Sequence, residues 1–224
     1  MIHKQTFDFL RDIKNNNSKE WMDENRENYQ LAKENILEVA ELLIANISKF
    51  DGNISALHLD PKKCITRLNR DLRFSKDKTP YKTDYYIVLN KDGKNSASAF
   101  YYLHIEPGNN FVGGGVYNPQ PKELKKIREE IDYSFKEWQD IINDEKFRTS
   151  FPDGIQNSGM LKNIPRGFED ENPAKTFLRM KGFYTQKNLT DKELQEKETL
   201  EKIVDCFISS KPLIDFLNRA IAFD

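Results

Sequence analysis

Cysteine, histidine and long apolar runs are all scarce in this chain. Two cysteines, Cys64 and Cys206, stand far apart among 224 residues. Neither has a second Cys or a His at ligand spacing, which argues against a zinc site and predicts two reduced thiols in a reducing cytosol. The three histidines form no helical pair, so no metal is expected. No stretch approaches the roughly 20 apolar residues of a membrane span. The start, Met1 to Thr6, has no apolar run behind a basic segment, so no signal peptide is expected. These absences predict a soluble, cytoplasmic protein. The formal net charge is -1, which gives no overall attraction to nucleic acid or to an anionic membrane.

Aromatic residues are plentiful: 15 Phe, 9 Tyr and 2 Trp. They argue against disorder despite a mean hydropathy of -0.76. A chain of this length buries about 70% of its unfolded surface and needs no covalent staple. The pattern begins helical. Thr6 reads as a cap for a short helix carrying Phe7, Leu10 and Ile13, and Ser18 reads as a cap for a long one. Tyr29, Ala32, Ile36, Val39, Leu43, Ile47 and Phe50 recur at steps of three and four, one apolar helical face. Asp51-Gly52-Asn53 ends that run.

The middle reads as strands. Cys64 to Leu68, Thr83 to Leu89, Ala97 to Glu106 and Phe111 to Tyr117 are separated by turn residues, Lys91-Asp92-Gly93-Lys94-Asn95 among them. The second half is mostly helical. Pro121 suits a first helical position, and Thr190-Asp191-Lys192-Glu193 fits a capping box. Asn172-Pro173 opens a short helix, while Lys211-Pro212 reads as a break before a last one. The expected fold is α+β: an antiparallel meander flanked by helices, with a long N-terminal helix and a helical C-terminal half, in one domain over 1–224.

One segment departs from the neutral average. Between Arg67 and Lys82, six cations (Arg67, Arg70, Arg73, Lys76, Lys78, Lys82) meet two anions (Asp71, Asp77). Leu72, Phe74 and Tyr81 read as its apolar anchors. Arginine pairs bidentately with oxyanions, and lysine adds movable point charge. Arg70, Arg73, Lys76, Lys78, Tyr81 and Lys82 are therefore candidate ligand-binding residues, joined by Arg166 and Lys181 if the later segments fold toward them. Arginines three apart share no strand face, so they converge only on a helical turn or a loop folded back. The competing reading is a structural ion-pair network.

Two further features stand out. Gly113-Gly114-Gly115 interrupts a strand and predicts a bulge or a closely packed helix. It is not a phosphate loop, because no Lys-Ser/Thr comes after it and no helix starts there. His104 and Glu106 alternate on one strand face and form a weak candidate acid–base pair, set against a structural histidine among aromatics. The tyrosines near the cations allow base stacking by a single-stranded nucleic acid, but sheet core is the better reading in a neutral protein.

Several separated blocks resemble the bacterial family known as domain of unknown function 2461. They are Asn16 to Tyr29, Arg70 to Lys82, Tyr102 to Tyr117, Pro165-Arg166-Gly167-Phe168, and Asn172-Pro173-Ala174 with Lys181 after them. Met22 and Asn172 depart from residues common in that family. The resemblance implies a shared fold and brings no activity with it. Three functions stay open: a module that binds a small phosphate- or carboxylate-bearing anion, an enzyme on such a substrate using His104 and Glu106, and a non-catalytic scaffold. Nucleic acid is the weaker alternative as ligand, no cofactor is expected, and oligomeric state is not legible.

Overall fold

A computed structural model describes residues 1–90 and 96–222. The Asp-Gly turn expected at Lys91 to Asn95 lies outside them. The fold is α+β, with helices around a five-stranded antiparallel sheet. Strand order is β1 (Tyr85–Leu89), β2 (Phe100–Ile105), β3 (Asn110–Val116), β4 (Phe183–Tyr184), with β5 (Lys187–Leu189) also pairing β3. Contacts group the chain into two compact units.

The first unit comprises 1–89, 102–112 and 188–204. Its helices α1 (Lys4–Asn15) and α3 (Arg26–Ile47) pack together, and α3 also packs on β1. Phe7, Leu10 and Ile13 are buried on α1; Ala32, Ile36, Val39, Leu43 and Ile47 are buried on α3, the face expected from their spacing. The cap of α1 differs from expectation. His3 occupies the cap position, and Thr6 lies inside the helix, buried, donating to Asn35 Oδ1 at 2.9 Å. Asn35 also accepts from His3 N and donates to Met1 O, so a buried polar residue of α3 ties down the chain start. Ser18 does cap, accepting from Trp21 N, but the helix behind it is only α2 (Lys19–Glu24). Asn25 donates its side-chain amide to Trp21 O and separates α2 from α3.

Short helices α4 (Gly52–Ser55), capped by Asp51, and α5 (Pro61–Cys64), capped by Asp60, come next. Cys64 to Leu68 is not a full strand. It pairs with β1 at the isolated bridge Ile65↔Ile87. Helix α10 (Asp191–Gln195) opens with the expected capping box of Thr190 and Glu193.

The second unit comprises 90–101, 113–187 and 205–224. It contains α6 (Pro121–Tyr133), α7 (Phe135–Asn143), α8 (Glu145–Ser150), α9 (Lys175–Leu178) and most of α11 (Thr199–Ala222). Pro121 sits at the start of α6 as expected, and Asn172 accepts from Ala174 N just ahead of α9. Trp138 is fully buried, its ring 5.3 Å from Phe177, 5.9 Å from Phe183 and 5.3 Å from Phe216. Pro212 does not break the chain; it lies inside α11. An interior proline costs about 3 kcal/mol. Burial of Leu213, Phe216 and Leu217 on the same helix offsets that cost.

The glycine run is explained by close packing. A Cβ on Gly114 would lie 2.8 Å from Ile214 Cδ1 and 3.0 Å from Ser210 Cβ, both on α11. Gly115 has φ +133 and pairs with Tyr184; a Cβ there would lie 2.2 Å from Phe183 O. Gly115→Ala therefore meets both backbone strain and a rigid carbonyl, and destabilises by about 3 kcal/mol or more in urea unfolding. Gly52→Ala, with open space around it at a helix start, changes stability by less than about 1 kcal/mol.

Candidate functional site

The cation-rich segment is held at its base by backbone pairing. Thr66 N donates to Tyr86 O at 2.9 Å, Lys82 N to Leu68 O at 2.7 Å, and Arg70 N to Pro80 O at 2.9 Å. Isolated bridges join Ile65 to Ile87 and Asn69 to Tyr81. Asn17 clamps Tyr81 from both sides, donating to its carbonyl at 2.9 Å and accepting from its amide at 3.0 Å. Residues 65–69 thus run antiparallel beside 81–87, and 70–80 form the loop at the end.

Within that loop most of the charge is spent internally. The Arg70 guanidinium binds the Asp77 carboxylate and the Thr79 hydroxyl, and reaches Thr79 O at 3.2 Å. Asp77 also accepts from Thr79 N at 2.9 Å. Arg73 grips Asp71 through Nε at 3.0 Å and Nη2 at 2.7 Å. Lys78 Nζ donates to Leu72 O at 3.0 Å. Lys76 and Lys82 have no carboxylate partner among the described residues. Tyr81 is a buried anchor as expected, but Phe74 is 95% exposed. Its ring reaches outward with the Arg73 guanidinium 5.9 Å from its centre. The loop is too short, and too occupied with hydrogen bonding itself, to turn Phe74 back to the core.

A cavity of about 290 Å³ lies at the base of the same segment. Its walls are Tyr29 and Lys33 of α3, Lys62 of α5, residues 65–69, and Tyr85 of β1. Ile65, Leu68 and Tyr85 are buried, whereas Lys62, Arg67 and Asn69 are exposed and Lys33 and Tyr29 half-buried. The wall therefore grades from apolar and phenolic to cationic. Among the described residues it includes no Asp or Glu. Among the described residues, Lys33, Lys62 and Arg67 have no carboxylate within ion-pair distance. The Tyr85 hydroxyl is buried without a hydrogen-bond partner. Burial, with the Tyr29 hydroxyl adding to it, pushes the Tyr85 phenol far above its ordinary range. It stays protonated at neutral pH. Tyr29 and Lys33 sit four apart on one helix, so both reach the same spot. That spacing was the available sequence signal for this wall; strand position alone does not single out Tyr85.

His104 and Glu106 have separate partners. His104 is 3% exposed and lies between Tyr86 and Phe111, with ring centres 4.3 Å away on each side. Its Nδ1 sits 2.8 Å from Asn109 O, so that nitrogen carries the proton, and Nε2 faces Asp84 at 3.5 Å. Glu106 accepts from Asn109 Nδ2 at 2.8 Å and lies 3.9 Å from Lys14. Arg166 and Lys181 belong to the second unit and are exposed there; Lys181 N donates to Gly159 O at 2.8 Å. The structure brings Arg70, Arg73, Lys76 and Lys78 into one loop with Tyr81 and Lys82 at its base.

Fold and cavity define an α+β protein of helices around an antiparallel sheet, an architecture that does not by itself specify an activity. The chain belongs to the family described as conserved hypothetical protein (DUF2461), which matches over residues 5–216. Comparisons with curated proteins and with solved structures give no match.

The Asp77 carboxyl is held at about 2, below its ordinary 3.8, first by the Thr79 amide, then by Arg70 and the Thr79 hydroxyl. A lowered carboxyl stabilises the loop fully above its unfolded value and loses that contribution as pH falls toward 2. An NMR titration should place the Asp77 midpoint near 2, with loop protection lost between about pH 4 and pH 2. Arg70→Ala should move that midpoint upward; an unchanged midpoint would mean that Arg70 contributes nothing.

Proposed function

We propose that the protein binds a small phosphate- or carboxylate-bearing ligand in the cavity walled by Lys33, Lys62 and Arg67. The observation that carries this reading is a cavity with three cations and, among the described residues, no carboxylate in its wall. Cations left unpaired in a concave site favour an anion. Arg67 is the one cation of the cation-rich segment among the described residues of the cavity wall. Arg70, Arg73 and Lys78 are engaged within their loop, which supports a structural part for them. An acid–base role for His104 with Glu106 draws no support from their partners, since His104 faces Asp84.

Calorimetry at low salt, with a panel of phosphate- and carboxylate-bearing small molecules, tests this. At least one should bind, and Lys62→Ala with Arg67→Ala should weaken it ten-fold or more, the loss of one charge-assisted contact of about 1.5–3 kcal/mol. Arg73→Ala with Lys76→Ala should leave the affinity within about two-fold. A panel without a binder, or a binder insensitive to Arg67 and Lys62, would remove this function.

A further inference from the structure

We infer that the ligand of this cavity is a phosphate monoester with a ring-shaped body, phosphate at the mouth and ring inside; the inference rests on the cavity being an anion site. Three features of the wall lead there. The first is charge. Lys33, Lys62 and Arg67 present three formal positive charges with no acid among them. A phosphate monoester carries about -1.5 to -2 at neutral pH and offers three acceptor oxygens, against -1 for a carboxylate. Arginine adds a planar fork that suits phosphate.

The second is depth. The cations at the mouth, Lys62 and Arg67, are exposed, whereas Ile65, Leu68 and Tyr85 are 6%, 1% and 1% exposed. An inorganic phosphate held at the mouth leaves that apolar end unfilled. The cavity of about 290 Å³ has room for roughly ten waters at about 30 Å³ each, far more than one phosphate occupies. The third is shape. The wall carries two tyrosines, Tyr29 and Tyr85, whose rings favour a flat partner.

The wild-type chain can be tested directly by calorimetry with three probes: phenyl phosphate, benzoate and inorganic phosphate. Phenyl phosphate should bind at least ten-fold tighter than either of the others. Tyr29→Ala should lower phenyl phosphate binding toward the inorganic phosphate level while leaving inorganic phosphate within two-fold. Arg67→Ala should weaken both phosphates ten-fold or more. Inorganic phosphate binding as tightly as phenyl phosphate overturns the ring body and leaves a plain oxyanion site. Benzoate binding as tightly overturns the phosphate end. If none of the three binds, but another anion from the wider panel does, the monoester is excluded and the anion site stands. The ranking of probes needs no variant, so it decides the matter even if Tyr29→Ala fails to fold.

Discussion

The pairing of residues 65–69 with 81–87 is the constraint on which the candidate site depends. It rests on the bridges Ile65↔Ile87 and Asn69↔Tyr81 and on the backbone amides of Thr66, Arg70 and Lys82, braced by the double clamp of Asn17 on Tyr81. Along it Ile65 and Leu68 are buried and Arg67 is exposed at the cavity mouth. It also sets where the chain must turn back, so residues 70–80 leave as a loop. Helix α3 supplies the opposite wall through Tyr29 and Lys33, on the same helix whose buried face packs against α1 and β1.

The two halves of the cation-rich segment are used differently. In the loop, Asp71 and Asp77 sit two and seven residues from their arginines, close enough for the pairs to close locally. Exposed pairs of this kind add little stability each, but together with Thr79 and Lys78 they define one loop shape. At the base, Lys33, Lys62 and Arg67 have no carboxylate within ion-pair distance among the described residues. Lys33 and Lys62 come from other parts of the chain and add to Arg67 rather than neutralise it. Charge counted along the sequence therefore overstated the loop and understated the base.

Much of the fold was legible. The α3 face, the Ser18 cap, the Thr190 capping box, Pro121 at a helix start and the strand meander all follow from local spacing and local hydrogen bonding. The misreadings share a cause, which is that a distant partner decides them. Thr6 is claimed by Asn35 rather than by the helix end, and Pro212 is held in α11 by the packing of that helix. Phe74 counted as core because it is apolar, while the loop that carries it closes through side chains of its own. The cavity was the least legible feature. Its walls come from α3, α5, residues 65–69 and β1, and of its described cations only Arg67 lay in the segment whose charge stood out.

Whether the anion goes to the cavity at the base or to the loop can be read from backbone amide shifts, recorded while phenyl phosphate is added to isotopically labelled protein. With the anion in the cavity, the largest changes cluster at Lys33, Lys62, Thr66 to Asn69 and Tyr85, and Arg73 to Lys78 stay nearly still. Changes concentrated at Arg73 to Lys78, with the cavity residues unmoved, would put the anion on the loop and refute the cavity as its site.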